Sequence, residues 1–248
     1  MDPLSRRNVL TCSASLAAAL RIGQASPASA AKTTPLKIVV AGGHPDDPES
    51  GCGGTMARLS AAGHSVVALY LTRGEAGIPG KSNAEAARTR TAESGKACLI
   101  LGARPVFAGQ VDGATEINRE RYAAFARLLA AENPDVVFTH WPIDTHPDHR
   151  AASLLVYHAW SVSKKKFHLF YYEVLTGEQT QNFSPSDYVD VTDTWERKKE
   201  ACYAHQSQNP AEFYARHEDM ERFRGREFGC SRAEAFVAFA RNGLSLPR

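Results

Sequence analysis

The sequence predicts an α/β fold, a Rossmann-like, mainly parallel sheet with helices on both faces. Short β-rich runs alternate with stretches of helical spacing from residue 36 onward. That alternation reaches residue 175 without a long polar linker, and 248 residues are enough for one sizeable core. A strand, helix, strand succession of these lengths puts consecutive strands parallel, since each helix crosses back over the sheet.

Taken in order, residues 36–41 read as the first strand, and residues 53–62, with Met56 and Leu59 at helical spacing, as a helix stopped by Gly63. Residues 64–72, rich in Val, Leu and Tyr, form the next strand, and the breaker-rich loop 73–83 leads to an alanine-rich helix, 84–101, that ends before Gly102. Residues 105–108 are a third strand, 118–132 a helix, 136–139 a fourth strand, 149–160 a helix and 167–175 an aromatic strand. Beyond Gln179 the alternation breaks down. A short run at 188–191 is followed by helices expected at 195–204, 210–223 and 232–239, wrapping one edge of the sheet and shaping the pocket.

Two loops carry the chemistry. Directly after the first strand comes Gly42-Gly43-His44-Pro45-Asp46-Asp47-Pro48-Glu49, a histidine and two adjacent carboxylates in four residues. His44 and Asp47 are three apart, so a tight turn or first helical turn aims both at one point and leaves Asp46 free as a base. After the fourth strand comes His146-Pro147-Asp148-His149, which repeats the His-x-x-ligand spacing. Imidazole and carboxylate donors suit zinc, with Fe2+ as another divalent candidate. Ligands drawn from both loops leave an open position for water, as catalytic zinc sites do. Both loops and Arg73 fall at the carboxyl ends of strands, where such sheets bind ligands.

Composition limits the partners. Lys+Arg 29 against Asp+Glu 27 gives a formal charge of +2, with only short basic clusters, so no nucleic-acid or membrane-surface preference is written in the charge. Residues 1–30 read as a twin-arginine signal peptide: Ser5-Arg6-Arg7-Asn8-Val9-Leu10, a mildly apolar run, then Ala28-Ser29-Ala30 as the cleavage site. The run is too short for a stable membrane span. The expectation is therefore an exported protein, handled by the twin-arginine machinery, with residues 31–248 as one metallohydrolase domain. Cys52, Cys98, Cys202 and Cys230 remain in the mature part, with no Cys-x-x-Cys to hold a structural zinc.

His44-Pro45-Asp46-Asp47 after a strand, the Gly51-x-Gly53-Gly54 helix start, Thr72-Arg73-Gly74-Glu75, and His146-Pro147-Asp148-His149 together resemble the PIG-L/LmbE family of zinc-dependent de-N-acetylases. Lys198-Lys199-Glu200-Ala201 leading to His205-Gln206-Ser207-Gln208 resembles that family's later motif, so the likeness runs from about Leu36 to Gln208. The resemblance implies that His44, Asp47 and His149 bind the metal, Asp46 is the general base, His146 the electrophilic or general-acid histidine, and Arg73 a substrate-binding residue. One departure concerns the residue after the two aspartates. The family usually has Glu there, whereas this chain has Pro48 with Glu49 next.

The expected function is removal of an N-acetyl group from a small amino-sugar derivative of the N-acetylglucosamine type. Zinc supplies a nucleophilic water and a polarised carbonyl; Asp46 takes the proton, and His146 or Asp46 returns one to the leaving amine. A single-base and an acid-base-pair scheme fit the sequence equally. Two rivals stand beside this reading: a metal-dependent amidase on another amide, such as a thiol conjugate or an acylated natural product, and a non-catalytic, metal-containing carbohydrate-binding protein. The free carboxylate of Asp46 disfavours the second, since binding needs no base.

Overall fold

Seven strands form one sheet in the order β3-β2-β1-β4-β5-β7-β6 in the computed structural model, which describes residues 34–239. The signal segment and its boundary at residue 30 lie outside the described residues. The strands are β1 Lys37–Gly42, β2 Ser65–Tyr70, β3 Ala103–Phe107, β4 Val136–His140, β5 His168–Tyr172, β6 Asp187–Asp190 and β7 Ala233–Ala238. β1 to β5 are mutually parallel, and β7 runs antiparallel to both β5 and β6.

The helices are α1 Asp47–Ala61, α2 Asn83–Leu101, α3 Arg119–Glu132, α4 Pro147–Val162, α5 Trp195–Tyr203 and α6 Pro210–Phe228, with a short 3-10 turn at Gln206–Gln208 between the last two. Alternation along each strand sorts the core into two layers. Ile38, Val40, Ala68 and Phe138 face one layer with Met56 of α1, Leu101 of α2 and Ala201 of α5. Val39, Val67 and Val137 face the other, with Phe125 of α3 and Leu155 of α4.

Helix ends follow their capping chemistry. Ser82 caps α2 and accepts the Glu85 amide, Asn118 caps α3 and accepts the Arg121 amide, and Gly102 closes α2 at φ 68°. α1 starts at Asp47, six residues before the predicted start, because Pro48 fits a first helical turn and Glu49 reaches back to accept the Asp46 amide. The glycines of α1 allow close packing. A Cβ at Gly51 would collide with the Tyr172 ring, and one at Gly54 would lie 2.6 Å from Val191 Cγ1.

The helix expected at 232–239 is a strand. Local Ala and Glu favour helix, but Ala-Glu-Ala-Phe also alternates, and tertiary pairing decides. As β7 the segment bonds to two strands at once and turns Glu234 inward. There the carboxylate accepts the Gly54 and Thr55 amides at 2.8 Å each and meets the buried Lys198 ammonium at 2.7 Å. Glu221 completes the cluster, 2.8 Å from Lys198, and the two carboxylates outweigh burial to hold that lysine's pKa well above its usual range. The C-terminal region thus extends the sheet, while α6 packs on β7 and α5.

Among the described residues, no helix is long and apolar enough to cross a membrane. Cys52, Cys98, Cys202 and Cys230 are all free thiols.

Candidate active site and metal centre

β1 and β4 are neighbours, but their connections leave in opposite directions along the sheet, which opens a crevice at their carboxyl ends. Each strand delivers one chemistry-bearing loop into that crevice and then a helix. Asp47 is the first residue of α1. His146 caps α4, accepting the Asp148 amide on its Nδ1 at 3.2 Å, and His149 lies in the first turn of α4.

Asp47 stands between the two predicted histidine ligands. His44 Nδ1 is 3.2 Å from Asp47 Oδ2, and His149 Nε2 is 3.3 Å from Asp47 Oδ1. Behind each imidazole stands a carboxylate. His44 Nε2 lies 3.0 Å from Asp148 Oδ2 and 3.2 Å from Asp112 Oδ1, while His149 Nδ1 lies 3.2 Å from Asp144 Oδ1. A histidine that offers one nitrogen forward and is braced by a carboxylate on the other is the usual arrangement of a metal-ligating imidazole. Donor atoms of His44, His146 and His149 lie within 4.8 Å of one another, as do those of Asp47, His140 and His149 and those of His44, Asp112 and Asp148, so the predicted ligands are divided between groups that share His149 or His44. The donors present therefore fit a divalent cation of the zinc type.

Electrostatics agree with the packing. Burial opposes the charge of His149, but Asp47 and Asp144 outweigh it and lift its pKa to about 9. Burial also opposes the charge of His44, and hydrogen bonds to Asp112, Asp148 and Asp47 raise it well above the usual value. Asp47 is pushed upward by burial and held well below the carboxylate range by His149 and His140.

Asp46 lines the same cleft but turns its carboxylate to Arg90. Burial raises its pKa, against the pull of Arg90, whose Nη2 is 3.2 Å from Asp46 Oδ2 and 2.5 Å from the Pro45 carbonyl. Its backbone has φ 113° and ψ −26°, a conformation that costs a non-glycine residue roughly 1–3 kcal/mol. His146 is half-buried, and burial followed by His44 and His149 lowers its pKa. Because its Nδ1 accepts an amide proton, the neutral ring carries its proton on Nε2.

These residues line a cleft of about 450 Å³ that also includes Ser50, Gly77, Asp112, Val174, Leu175, Gln179, Gln208, Phe213 and His217. Arg73 is outside this lining: it is exposed, with its guanidinium over the Phe107 ring at 5.9 Å. The guanidinium in the cleft belongs to Arg90. An apolar groove of about 400 Å³ between α3 and α4 sits at the amino ends of β4 and β5, away from this chemistry.

Sequence reading passed over Arg90, His140 and Asp112. Arg90 shares the inward face of α2 with Ala86 and Ala97, and a charge at core spacing was the available signal. His140 is the last residue of β4 and Asp112 lies in the loop after β3, both at the carboxyl end of the sheet, as the predicted ligands are. Of the later motif, Gln208 reaches the cleft, His205 is buried beside Glu49, and Ser207 bonds Glu93 of α2 through its amide at 2.8 Å and its hydroxyl at 2.6 Å.

The profile of the family described as "PIG-L: GlcNAc-PI de-N-acetylase" matches residues 39–160, which hold both loops. A diacetylchitobiose deacetylase of Thermococcus kodakarensis is 30% identical over 195 residues, covering 72% of each chain. The conserved protein TT1542 of Thermus thermophilus superposes with a TM-score of 0.72 at 32% identity, over 83% of this chain and 95% of that one. The N,N'-diacetylchitobiose deacetylase of Pyrococcus horikoshii gives 0.73 at 26% identity, over 82% and 84%. With a curated relative at this identity over most of both chains and both signature loops inside the matched segment, this chain belongs to the PIG-L family of de-N-acetylases, hydrolases of N-acetyl amide bonds.

Proposed function

We propose that the protein is a zinc-dependent deacetylase acting on a small N-acetylated amino sugar of the N-acetylglucosamine or chitobiose type. One observation carries this reading: Asp47 faces His44 with one oxygen and His149 with the other, in a cleft that Asp46 and His146 also line. The sugar class is supported by the two diacetylchitobiose deacetylases among the relatives and by a cleft of about 450 Å³ with polar groups on its walls. Export through the twin-arginine route, with the mature domain starting near residue 31, is the accompanying proposal from Arg6-Arg7 and Ala28-Ser29-Ala30.

Bound by His44, Asp47 and His149, zinc would supply Lewis-acid chemistry, making a water acidic near neutral pH and drawing charge from an amide carbonyl. Asp46 takes the proton from the attacking water. Its raised pKa makes it a stronger base than an ordinary aspartate. His146, neutral and protonated on Nε2, donates a hydrogen bond to the oxyanion. Asp46, now in its acid form, returns the proton to the leaving amine, so acetate and the free amino sugar depart together. The neutral state of His146 favours this single-base route over an acid-base pair.

Acetate release from N-acetylglucosamine and N,N'-diacetylchitobiose, measured before and after chelation and after adding zinc back, tests the reading. Release that stops with chelator and returns with zinc is expected. Release that persists in the demetallated protein would remove the metal from the proposal, and none from either sugar would move the substrate to another amide.

A further inference from the structure

Pro48 stands where an acidic residue usually follows the two aspartates, and Glu49 comes one place later. The structure gives Glu49 a full set of partners. Its Oε2 accepts the Asp46 amide at 3.2 Å, and its Oε1 accepts the Tyr70 hydroxyl at 2.5 Å and lies 3.4 Å from His205 Nε2. The side chain is completely buried. It lines no part of the cleft and belongs to no group of candidate metal donors.

The displacement by one residue is what makes this contact. With Asp46 as the residue before α1, Glu49 occupies the third helical position, from which a carboxylate reaches back to the capping residue's amide. A carboxylate at the second position, where Pro48 sits, lacks that geometry. Asp46 meanwhile holds a left-handed backbone that only its surroundings can enforce. Arg90 meets its carboxylate, and Glu49 meets its amide.

We propose that Glu49 is a positioning residue for the base: by fixing the Asp46 amide, it keeps the Asp46 carboxylate turned into the cleft. Tyr70, from the end of β2, holds the Glu49 carboxylate by a hydrogen bond, and the buried His205, from the junction after α5, packs beside it, so the reactive loop is tied to the sheet and abuts the C-terminal helices. This rests on Asp46 being the base.

The test is steady-state deacetylation by the zinc-loaded full chain on N,N'-diacetylchitobiose, with metal content measured on every sample. Glu49→Ala and Glu49→Asp, which keeps the charge but is one methylene short, should lower kcat on the order of a hundredfold, the usual scale for a misplaced reactive group. Metal stoichiometry and KM should stay near wild type. Glu49→Gln, which retains an acceptor for the amide, should keep the rate within about tenfold of wild type. In an Asp46→Asn background, Glu49→Asp should cost less than about twofold more, because the two residues act as one unit. Equal losses in both backgrounds, a loss that tracks missing metal, or unchanged kcat in Glu49→Asp would each overturn the proposal. A fully active Asp46→Asn enzyme would instead remove Asp46 as base and the proposal with it. Should Glu49→Ala fail to fold, the Asp and Gln variants decide alone.

Discussion

His140 stacks face to face on His149, with 3.9 Å between ring centroids and 6° between planes. Its Nε2 also lies 3.1 Å from the Gly43 amide and 3.2 Å from Asp47 Oδ2. Burial and the neighbouring His149 lower its pKa to about 4, so it stays neutral and braces two ligands at once. His140→Ala should therefore weaken metal binding about 10- to 100-fold, the range for partners that orient ligands. Competition against a chromogenic chelator measures it, and activity should recover when metal is in excess. Unchanged affinity would reduce His140 to packing.

Asp46 and Asp47 are adjacent but should behave differently. Asp46→Asn should retain metal and lose on the order of a hundredfold or more in turnover, because a base is needed in the transition state. Asp47→Asn should lose metal as well, since its two oxygens face His44 and His149. Metal content and turnover on the same two samples separate the roles.

His146→Ala should keep metal and lose rate, as expected of a donor that meets charge formed only during reaction. The pH dependence follows from the two shifts together. Asp46 is raised, so it is protonated and inactive over a wider acid range, and kcat should climb with pH through a point above the ordinary carboxylate value. His146 is lowered below the ordinary histidine value, so its deprotonation is already complete near neutral pH and no loss of rate should appear between pH 6 and 8. A falling limb in that interval that vanishes in His146→Gln would restore the acid-base pair.

His217 reports on stability. Burial, then the Lys198 ammonium, depresses its pKa to about 3, against about 6.5 in an unfolded chain. Between those values the unfolded state takes up a proton that the folded state refuses, so stability is full above pH 6.5 and drains away as pH falls. Going from pH 7 to pH 5 should cost the wild type about 2 kcal/mol more than His217→Gln, read from urea midpoints of both proteins. Equal losses would show that the histidine is solvated.

The parallel half of the fold was legible because β1, β2, β4 and β5 are buried on both faces and its helices end at clear glycine signals, as at Gly63 and Gly102. β7 was not, because Ala233 to Ala238 has helix-forming residues and becomes a strand only through partners about 65 and 45 residues away in sequence, β5 and β6. The two loops announced themselves by residue type. Asp112 and Arg90 did not: a carboxylate after β3 and an arginine on a helix look like ordinary surface charges until the sheet brings them to His44 and Asp46.

The insertion of β7 between β5 and β6 sets an order of events in time. On the ribosome, β1 to β5 can pair as they emerge, but β6 must wait, since its only partner among the described strands is made after α5 and α6. Until then β5 presents an open edge beside the loop that carries Asp144 and His146, and Lys198 has no Glu234 to meet. Closing pairs that distant in sequence is slow. A released chain truncated before residue 233 should therefore be protease-sensitive at β6 and α6 while its parallel half resists.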